Sequence, residues 1–169
     1  MERRVVITGL GPISPVGAGK KVFWQSLTEG KSGISKITHF DATDFSSQIA
    51  GEVSDFDPTD FVDAKGARRM DRFSQFAVGA TSLALKDAGL TITEANAEKV
   101  GVIIGSGIGG LATLEEQHIV LLEKGPKKIT PFLIPMMISN MAAGHVSIVF
   151  GAKGPNYSPV SACATSAHA

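Results

Sequence analysis

Short apolar runs that alternate with longer amphipathic segments restrict the fold of this chain more than any other feature. The predicted strands cover residues 4–8, 100–105 and 156–160, and the predicted helices cover residues 20–29, 71–88, 111–124 and 139–150. Residues 34–64 are predicted to be loop-rich with one short strand near 49–53, and Pro126, Pro131 and Pro135 indicate a rigid loop. Alternating strands and helices predict an α/β protein with a mainly parallel sheet, because parallel strands need crossover connections.

The composition indicates one globular domain over residues 1–169. Of the 169 residues, 43% are hydrophobic and 19% are charged, which is enough apolar surface for a core. The single cysteine builds no disulfide within the chain and fits a reducing compartment. Glycine and proline interrupt the first apolar run too early for a signal peptide, and no run is long enough to span a membrane. We therefore predict a cytoplasmic protein.

The charges balance overall but are unevenly distributed. A net charge of +0 creates no field that would attract nucleic acid or an anionic membrane. Residues 40–64 contain seven acids and no lysine or arginine, and Lys65, Arg68, Arg69 and Arg72 follow at once. Such a cluster is either a solvated surface or a docking site for an acidic partner, and its spacing leaves both readings open.

A glycine-rich motif follows the predicted strand 100–105. Residues 105–110 (GSGIGG) fit the G-x-G-x-x-G pattern and precede a predicted helix, as in dinucleotide-binding proteins. The rest of that fingerprint is missing, because no strand ending in an acid follows the helix and Pro131 disfavours one there. The motif therefore predicts a turn with close backbone packing.

Cys163 is a candidate nucleophile. It follows the predicted strand 156–160 and lies among small residues, which would let a substrate reach the sulfur. The start of a helix favours the thiolate, which is the competent nucleophile in acyl transfer. A buried and inert cysteine fits the same spacing. At this stage both readings remain open.

The histidines do not complete a catalytic or metal site. The four are His39, His118, His145 and His168. His168 follows Cys163 by five residues and so lies off its helical face, and none of the four has metal-ligand spacing. We expect structural or surface roles for them and no metal. The helix predicted after Cys163 is too short to be stable alone, so we expect the native protein to continue beyond Ala169.

Several segments together resemble the elongating β-ketoacyl-acyl carrier protein synthases. They are residues 4–11 (RVVITGLG), 14–17 (SPVG), 105–110 (GSGIGG), 140–145 (NMAAGH), 154–156 (GPN) and 161–166 (SACATS). The last of these resembles the active-site cysteine signature of the family. The similarity extends over the whole chain, and the subtype it resembles most is synthase II, which condenses medium to long acyl chains.

The resemblance implies a fold and a reaction. The fold is thiolase-like, with two related α-β-α halves stacked in layers and usually a homodimer, and residues 1–169 would be the amino-terminal half, ending just after the nucleophile. Cys163 would take an acyl group from the phosphopantetheine thioester of acyl carrier protein. Malonyl-carrier protein would then lose carbon dioxide and attack the acyl-cysteine, giving β-ketoacyl-acyl carrier protein in fatty acid elongation. The partner carries the phosphopantetheine, so no cofactor of the chain's own is implied.

The resemblance also implies roles for individual residues. Cys163 is the nucleophile and its N–H one of two oxyanion donors, while the second donor and two catalytic histidines come from the carboxy-terminal half in this family. The residues that resemble a docking surface for the acidic carrier protein are Lys65, Arg68, Arg69, Lys127 and Lys128. Gly107 and Ile108 resemble the acyl-pocket wall, and Leu133 and Ile134 resemble residues that reach the neighbouring subunit's pocket. Arg69 stands where the family commonly has Lys, and Leu133 where it commonly has Phe.

Three alternatives are compatible with these motifs. A polyketide ketosynthase shares them. A chain-length partner subunit has the same fold but typically lacks the cysteine, so Cys163 argues against it. These 169 residues alone are expected to be an inert fragment, because they lack the catalytic histidines.

Overall fold

The computed structural model describes residues 3–169, in which helices alternate with very short strands. The helices are α1 (Lys20–Thr28), α2 (Ala64–Ala67), α3 (Arg72–Ala88), α4 (Leu111–Lys124), α5 (Leu133–Met137), α6 (Met141–Phe150) and α7 (Thr165–His168). The strands are β1 (Ile13–Ser14), β2 (Gly17–Ala18), β3 (Ile34–Lys36), β4 (Ile49–Gly51), β5 (Val102–Ile103) and β6 (Asn156–Tyr157). Short 3-10 segments lie at Pro58–Asp60, Ala97–Lys99, Pro126–Lys128 and Ala162–Ala164.

The described chain forms two units, of which the first contains residues up to 57 together with 82–90. In this unit β1 pairs antiparallel with β2, and β3 pairs antiparallel with β4. Asp87, near the end of α3, accepts a hydrogen bond of 3.0 Å from the N–H of Leu10 and forms an ion pair with Lys20. These contacts lower the pKa of Asp87, chiefly through the hydrogen bond from Lys20. They fix the start of α1 to the end of α3.

The second unit contains residues 58–81 and 91–169 and holds the main apolar core. The buried members of this core are Met70, Val78, Val102, Ala143, Val146 and Ala152. β5 and β6 pair in parallel, with Val102 opposite Asn156. α6 packs on this strand pair through its buried face, and the side-chain amide of Asn156 donates to the Ala143 carbonyl at 2.8 Å. Strand β5, the three helices α4, α5 and α6, and strand β6 follow one another in this unit, which is the α/β arrangement that the sequence predicted.

The helix predictions are confirmed within one or two residues for α1, α3, α4 and α6. Each has an identifiable end. Gly89 follows α3 with φ of 62°, and Gly151 follows α6 with φ of 73°. Glycine adopts this left-handed conformation at low steric cost and so ends a helix cleanly.

Two sequence predictions are wrong in the described residues, and a third is confirmed only in part. Residues 4–8 form no strand, and Val5 is 92% exposed, because a strand forms only where a second strand satisfies its backbone groups. The mainly parallel sheet is the part-confirmed prediction, since one strand pair is parallel and two are antiparallel. Pro135 lies inside α5 rather than in a loop; the first turn of a helix tolerates proline because its N–H groups have no intrahelical acceptor.

Across residues 3–169, every helix is too short or too polar to cross a bilayer.

Candidate active site

Cys163 lies in an exposed turn between β6 and α7. The turn is the 3-10 segment Ala162–Ala164, and α7 begins directly after it at Thr165. Ala162 has φ of 49°, a left-handed conformation that is costly for a residue with a Cβ atom. The strain is therefore located immediately before the candidate nucleophile. The Cys163 side chain is exposed rather than buried in this structure.

The buried side chain of Thr165 stabilises this turn. Its side chain is buried, and Oγ1 accepts a hydrogen bond of 2.9 Å from the N–H of Ser161. The N–H of Ala164 in turn donates to the Ser161 carbonyl at 3.1 Å. We call residues 161–165, which contain the candidate nucleophile Cys163, the nucleophile turn. Sequence reasoning did not assign a role to Thr165, because nothing in a run of small residues indicates which one turns inward.

Residues 105–110, the glycine loop, pack against the nucleophile turn at one end. A Cβ atom on Gly105 would overlap Cγ2 of Thr165 and lie 3.3 Å from the Pro159 carbonyl oxygen. At Gly107 it would lie 3.5 Å from the carbonyl oxygen of Ala162. The backbone of the loop can approach the turn this closely only because it carries no side chain at position 105. The predicted turn with close backbone packing is confirmed.

The other end of the glycine loop packs against α5. The N–H of Gly110 donates to the Met137 carbonyl at 2.8 Å, and a Cβ atom on Gly109 would lie 3.0 Å from the backbone nitrogen of Ser139. Inside the loop, the N–H of Gly109 donates to Ser106 Oγ at 3.0 Å. The loop therefore connects the nucleophile turn to the helix that carries Leu133 and Ile134.

The structure thus brings several predicted site residues into one region of the second unit. Gly107 lies beside the nucleophile turn, and the side chain of its neighbour Ile108 is 70% exposed. In α5, Leu133 is partly buried and Ile134 is 56% exposed. Their assignment to an acyl pocket stays a prediction. An apolar groove with a volume of about 750 Å³ lies in the first unit near Phe23 and Trp24 and is lined by none of the predicted site residues.

The basic surface consists of Lys65, Arg68, Arg69, Lys127 and Lys128, all of which are exposed. The first three lie in and just after α2, whose N-terminus is capped by Asp63 through a hydrogen bond of 2.6 Å from the N–H of Gly66. That bond, assisted by the charges of Lys65 and Arg68, lowers the pKa of Asp63. α2 therefore presents its cations on a defined turn rather than on a flexible loop.

Arg69 connects the basic surface to the segment that precedes α5. Its guanidinium lies 4.4 Å from the ring centroid of Phe132, a cation–π contact. Phe132 is the residue directly before Leu133. Lys127 and Lys128 lie in the 3-10 segment that follows α4, a few residues earlier in the same connection. No pattern in the amino-acid sequence indicated this stacking.

A second contact that the sequence did not predict joins α3 to α4. Asp71 is buried, and its Oδ2 accepts hydrogen bonds from the hydroxyl of Thr113 at 2.5 Å and from the Thr113 N–H at 3.2 Å. Sequence reasoning gave Asp71 no role beyond that of the first residue of the predicted helix 71–88. The two residues are separated by 42 positions, so no local pattern could have paired them.

The four histidines lie apart from any metal-binding arrangement. His39 is 4.0 Å from Glu52, and Nδ1 of His168 is 2.6 Å from Ser161 Oγ, at the edge of the nucleophile turn. His145 is partly buried in α6, its Nε2 has no hydrogen-bond partner, and burial lowers its pKa. His118 lies on α4 beside Leu114. Among residues 3–169, no group of three or more histidine, cysteine or acidic side chains could hold a metal ion.

Comparisons with known proteins agree with this geometry. Residues 2–169 match the family described as Beta-ketoacyl synthase, N-terminal domain. The chain is 54% identical over 168 residues to the 3-oxoacyl-[acyl-carrier-protein] synthase 2 of Synechocystis sp. and 53% identical over 167 residues to that of Vibrio harveyi. In both comparisons the matched region is 99% of this chain, and the chain spans about 40% of the length of each relative.

Solved structures give the same result at lower identity. The ishigamide ketosynthase/chain length factor matches with a TM-score of 0.84 and 30% identity, over 95% of this chain and 40% of that one. A β-ketoacyl synthase from Burkholderia phymatum matches with a TM-score of 0.81 and 29% identity, over 99% of this chain and 42% of that one. The glycine loop, the nucleophile turn and the match over residues 2–169 place this chain in the β-ketoacyl synthase family, as its N-terminal domain.

Proposed function

We propose that the whole protein catalyses the decarboxylative condensation of an acyl group on Cys163 with malonyl-acyl carrier protein in fatty acid chain elongation. The observation that carries the proposal is the exposed Cys163 thiol on a strained, internally braced turn. The relatives that match over this entire chain are named 3-oxoacyl-[acyl-carrier-protein] synthase 2, which supports the fatty acid reading. The chain spans about 40% of their length, so the activity belongs to the whole protein.

The first half-reaction is a thioester exchange. The Cys163 sulfur attacks the acyl carbonyl, the tetrahedral intermediate expels the phosphopantetheine thiolate of the carrier protein, and that thiolate takes up the proton lost by Cys163. Reactant and product are both thioesters, so little driving force is needed beyond position and oxyanion stabilisation. The Cys163 N–H lies in the first turn of a 3-10 segment, where backbone N–H groups lack an intrahelical acceptor. It is therefore suited to donate to the oxyanion.

The second half-reaction forms the carbon–carbon bond. Malonyl-carrier protein loses carbon dioxide, the resulting carbanion attacks the acyl-cysteine carbonyl, and the Cys163 thiolate leaves. Two histidines and a second oxyanion donor serve this step in the family and would come from the remaining length of the protein. Residues 1–169 alone are therefore proposed to be inactive in condensation.

The basic surface is proposed to dock the acyl carrier protein. Its five cations are exposed, which suits an acidic partner because clustered charge raises the rate of encounter. Arg69 can stack on Phe132 with its face and still offer N–H donors at its edge. The stacking places a docking cation next to the segment that enters α5.

A homodimer and a cytoplasmic location complete the proposal. Apolar side chains remain exposed on α4 and next to it, including Leu122 at 72% and Ile108 at 70%, and a second subunit would remove them from water. Ile134 lies exposed in α5, as a residue that reaches a neighbouring pocket must.

The complete thiolase-like fold with a larger parallel sheet is proposed for the whole protein, and the single cysteine of this chain suits a reducing compartment.

Intact mass spectrometry tests the nucleophile. The protein made from its own gene should gain one acyl group from an acyl-carrier protein thioester, and the adduct should map to the tryptic peptide that begins at Gly154. Cys163→Ala should abolish that adduct. An adduct that persists in Cys163→Ala, or no adduct on the wild-type protein, contradicts the proposal.

Charge reversal tests the docking surface. Lys65→Glu, Arg68→Glu and Arg69→Glu together should slow acylation by carrier-bound acyl groups about 10-fold or more and leave acylation by a small acyl thioester unchanged. The matched control reverses three exposed lysines outside the surface, Lys21, Lys36 and Lys99. Equal slowing with both acyl donors would show that the substitutions damage the site rather than docking.

A polyketide ketosynthase is the second candidate, favoured by the similarity to the ishigamide ketosynthase/chain length factor. The two functions differ in how often malonyl units add before the β-keto group is reduced. Incubation of the protein with a saturated acyl-carrier protein and excess malonyl-carrier protein should give one condensation product. A ladder of products that differ by successive two-carbon units would support the polyketide function instead.

A further inference from the structure

A buried carboxylate caps α4 from a different helix. Asp71, at the start of α3, is 8% exposed. Its Oδ2 accepts from the hydroxyl and the N–H of Thr113, at 2.5 Å and 3.2 Å, and its Oδ1 accepts from the Phe73 N–H at 3.3 Å. Thr113 is the third residue of α4, where a helix has unsatisfied N–H groups and the positive end of its macrodipole. Asp71 therefore supplies the cap that α4 does not supply for itself.

A polar residue at the N-cap position of α4 would have capped the helix at a lower cost in free energy. The N-cap position of α4 is Gly110, which makes no side-chain cap hydrogen bond, whereas serine or aspartate at that position is the usual solution. Burial of a carboxylate costs free energy that its hydrogen bonds must offset. The arrangement at Asp71 is thus a costly way to cap a helix, and what it adds is a fixed link between α3 and the end of the glycine loop.

Gly110 shows how tightly the link is built. A Cβ atom at position 110 would lie 2.9 Å from Oδ2 of Asp71 and would also overlap the carbonyl oxygen of Met136. The end of the glycine loop is therefore held between the Asp71 carboxylate and α5. Its opposite end packs on Thr165 and Ala162 in the nucleophile turn. The glycine loop therefore contacts the Asp71 side chain at one end and residues on either side of Cys163 at the other. Movement of the Asp71 carboxylate would shift the loop and, through it, the nucleophile turn.

We propose that Asp71 is a positioning residue for acyl transfer to Cys163. It fixes the glycine loop, and the loop fixes the nucleophile turn and the adjoining wall at Gly107. Asp71 touches neither substrate nor sulfur in this role. The inference rests on the proposed function of Cys163. Misplacement of reacting groups by about 1 Å costs on the order of 100-fold in rate, so a shift of a few tenths of an ångström in the loop has a measurable effect.

Asp71→Asn in the whole protein tests the role. Asparagine keeps the shape but presents an amide NH₂ to one of the donors that now face the carboxylate. We expect acylation of Cys163 by an acyl-carrier protein thioester to slow about 10- to 100-fold at a temperature well below unfolding. Amide hydrogen exchange should accelerate in residues 105–110 and also in residues 161–165. The matched control is Asp41→Asn, which removes an exposed carboxylate that accepts from the N–H and hydroxyl of Thr43.

A second pair of variants covers the case in which Asp71→Asn fails to fold. Thr113→Val removes the hydroxyl that donates to Asp71, and Thr113→Ser keeps it. The rate should fall in Thr113→Val and be restored in Thr113→Ser, and the double variant Asp71→Asn/Thr113→Val should be no slower than the slower single variant, because both act through one bond.

The outcomes separate this inference from the proposed function. An unchanged acylation rate in Asp71→Asn, or faster exchange confined to residues 110–113, overturns the positioning role and leaves Asp71 as a helix cap. A wild-type protein that accepts no acyl group overturns the proposed function of Cys163. Slower acylation together with faster exchange in residues 161–165 supports both.

Discussion

Substitution of Gly105 by alanine tests why the glycine loop contains so much glycine. A Cβ atom at position 105 would overlap Cγ2 of Thr165, lie 3.1 Å from the Thr165 carbonyl oxygen and lie 3.3 Å from that of Pro159. Overpacking of this kind costs about 1–3 kcal/mol, and we expect the upper part of that range because two of the obstacles are backbone atoms. The midpoint of thermal unfolding should fall by about 2–4 °C for each kcal/mol.

A compensating substitution makes the test specific to this contact. Thr165→Ser removes Cγ2 but keeps the hydroxyl that accepts from the Ser161 N–H. The double variant Gly105→Ala/Thr165→Ser should therefore be more stable than the sum of the single losses predicts, by about 0.5–3 kcal/mol. The matched control is Gly144→Ala in α6, where a Cβ atom would lie 3.5 Å from Met141 Sδ, an ordinary contact. That substitution should stabilise the protein by about 0.5–1 kcal/mol.

Urea unfolding followed by far-ultraviolet circular dichroism gives the free energies by linear extrapolation. Two results would refute the reasoning. One is a Gly105→Ala variant as stable as Gly144→Ala, which would mean that position 105 has room for a side chain. The other is strict additivity of Gly105→Ala and Thr165→Ser, which would mean that the loop and the nucleophile turn are not in contact.

Three further predictions follow from single features. Ala162→Gly should raise stability by about 0.5–1 kcal/mol in urea unfolding, because glycine relieves the left-handed φ of 49°; a loss of stability would contradict the strain. Burial lowers the pKa of His145 below its ordinary value of 6.5, so the unfolded state binds more protons and stability should fall as pH falls through 6.5; His145→Leu should flatten urea midpoints across that range, and an unchanged slope would exclude His145 as the cause. Arg69→Lys and Phe132→Leu should each cost about 0.5–1 kcal/mol and show non-additive losses in a double-mutant cycle; full additivity would mean that the stacking contributes nothing.

The helices were predictable because their signals are local. The periodic small and apolar residues of α3, α4 and α6, and the glycines that follow α3 and α6, lie within the segments that they specify. Strand prediction failed at residues 4–8 because the run Val5-Val6-Ile7 favours extended backbone but does not indicate which strand would pair with it. Where a partner exists within the described residues, as for Val102 opposite Asn156, the pairing joins positions far apart in the chain.

The candidate site divides in the same way. Cys163 and the basic surface were identified from contiguous motifs, and their exposure in the structure agrees with the proposed roles. Thr165 and Asp71 were missed because their importance lies in contacts rather than in their neighbours along the chain. For Thr165 the distinguishing property is burial among small residues, and for Asp71 it is a hydrogen bond across 42 positions.

The glycine loop shows that contacts within the protein can account for a dinucleotide-binding pattern. In that fingerprint the glycines allow the backbone to approach a pyrophosphate and a helix to begin close to a strand. Here the same freedom is used by protein atoms on both sides, with Thr165 against Gly105 at one end and Asp71 against Gly110 at the other. The Asp71 carboxylate even occupies the place of the anion, since it accepts the N–H of Thr113 at the start of α4. The glycine motif thus indicates a backbone segment that other atoms approach closely. The residues around the segment determine whether those atoms belong to a ligand or to the protein itself.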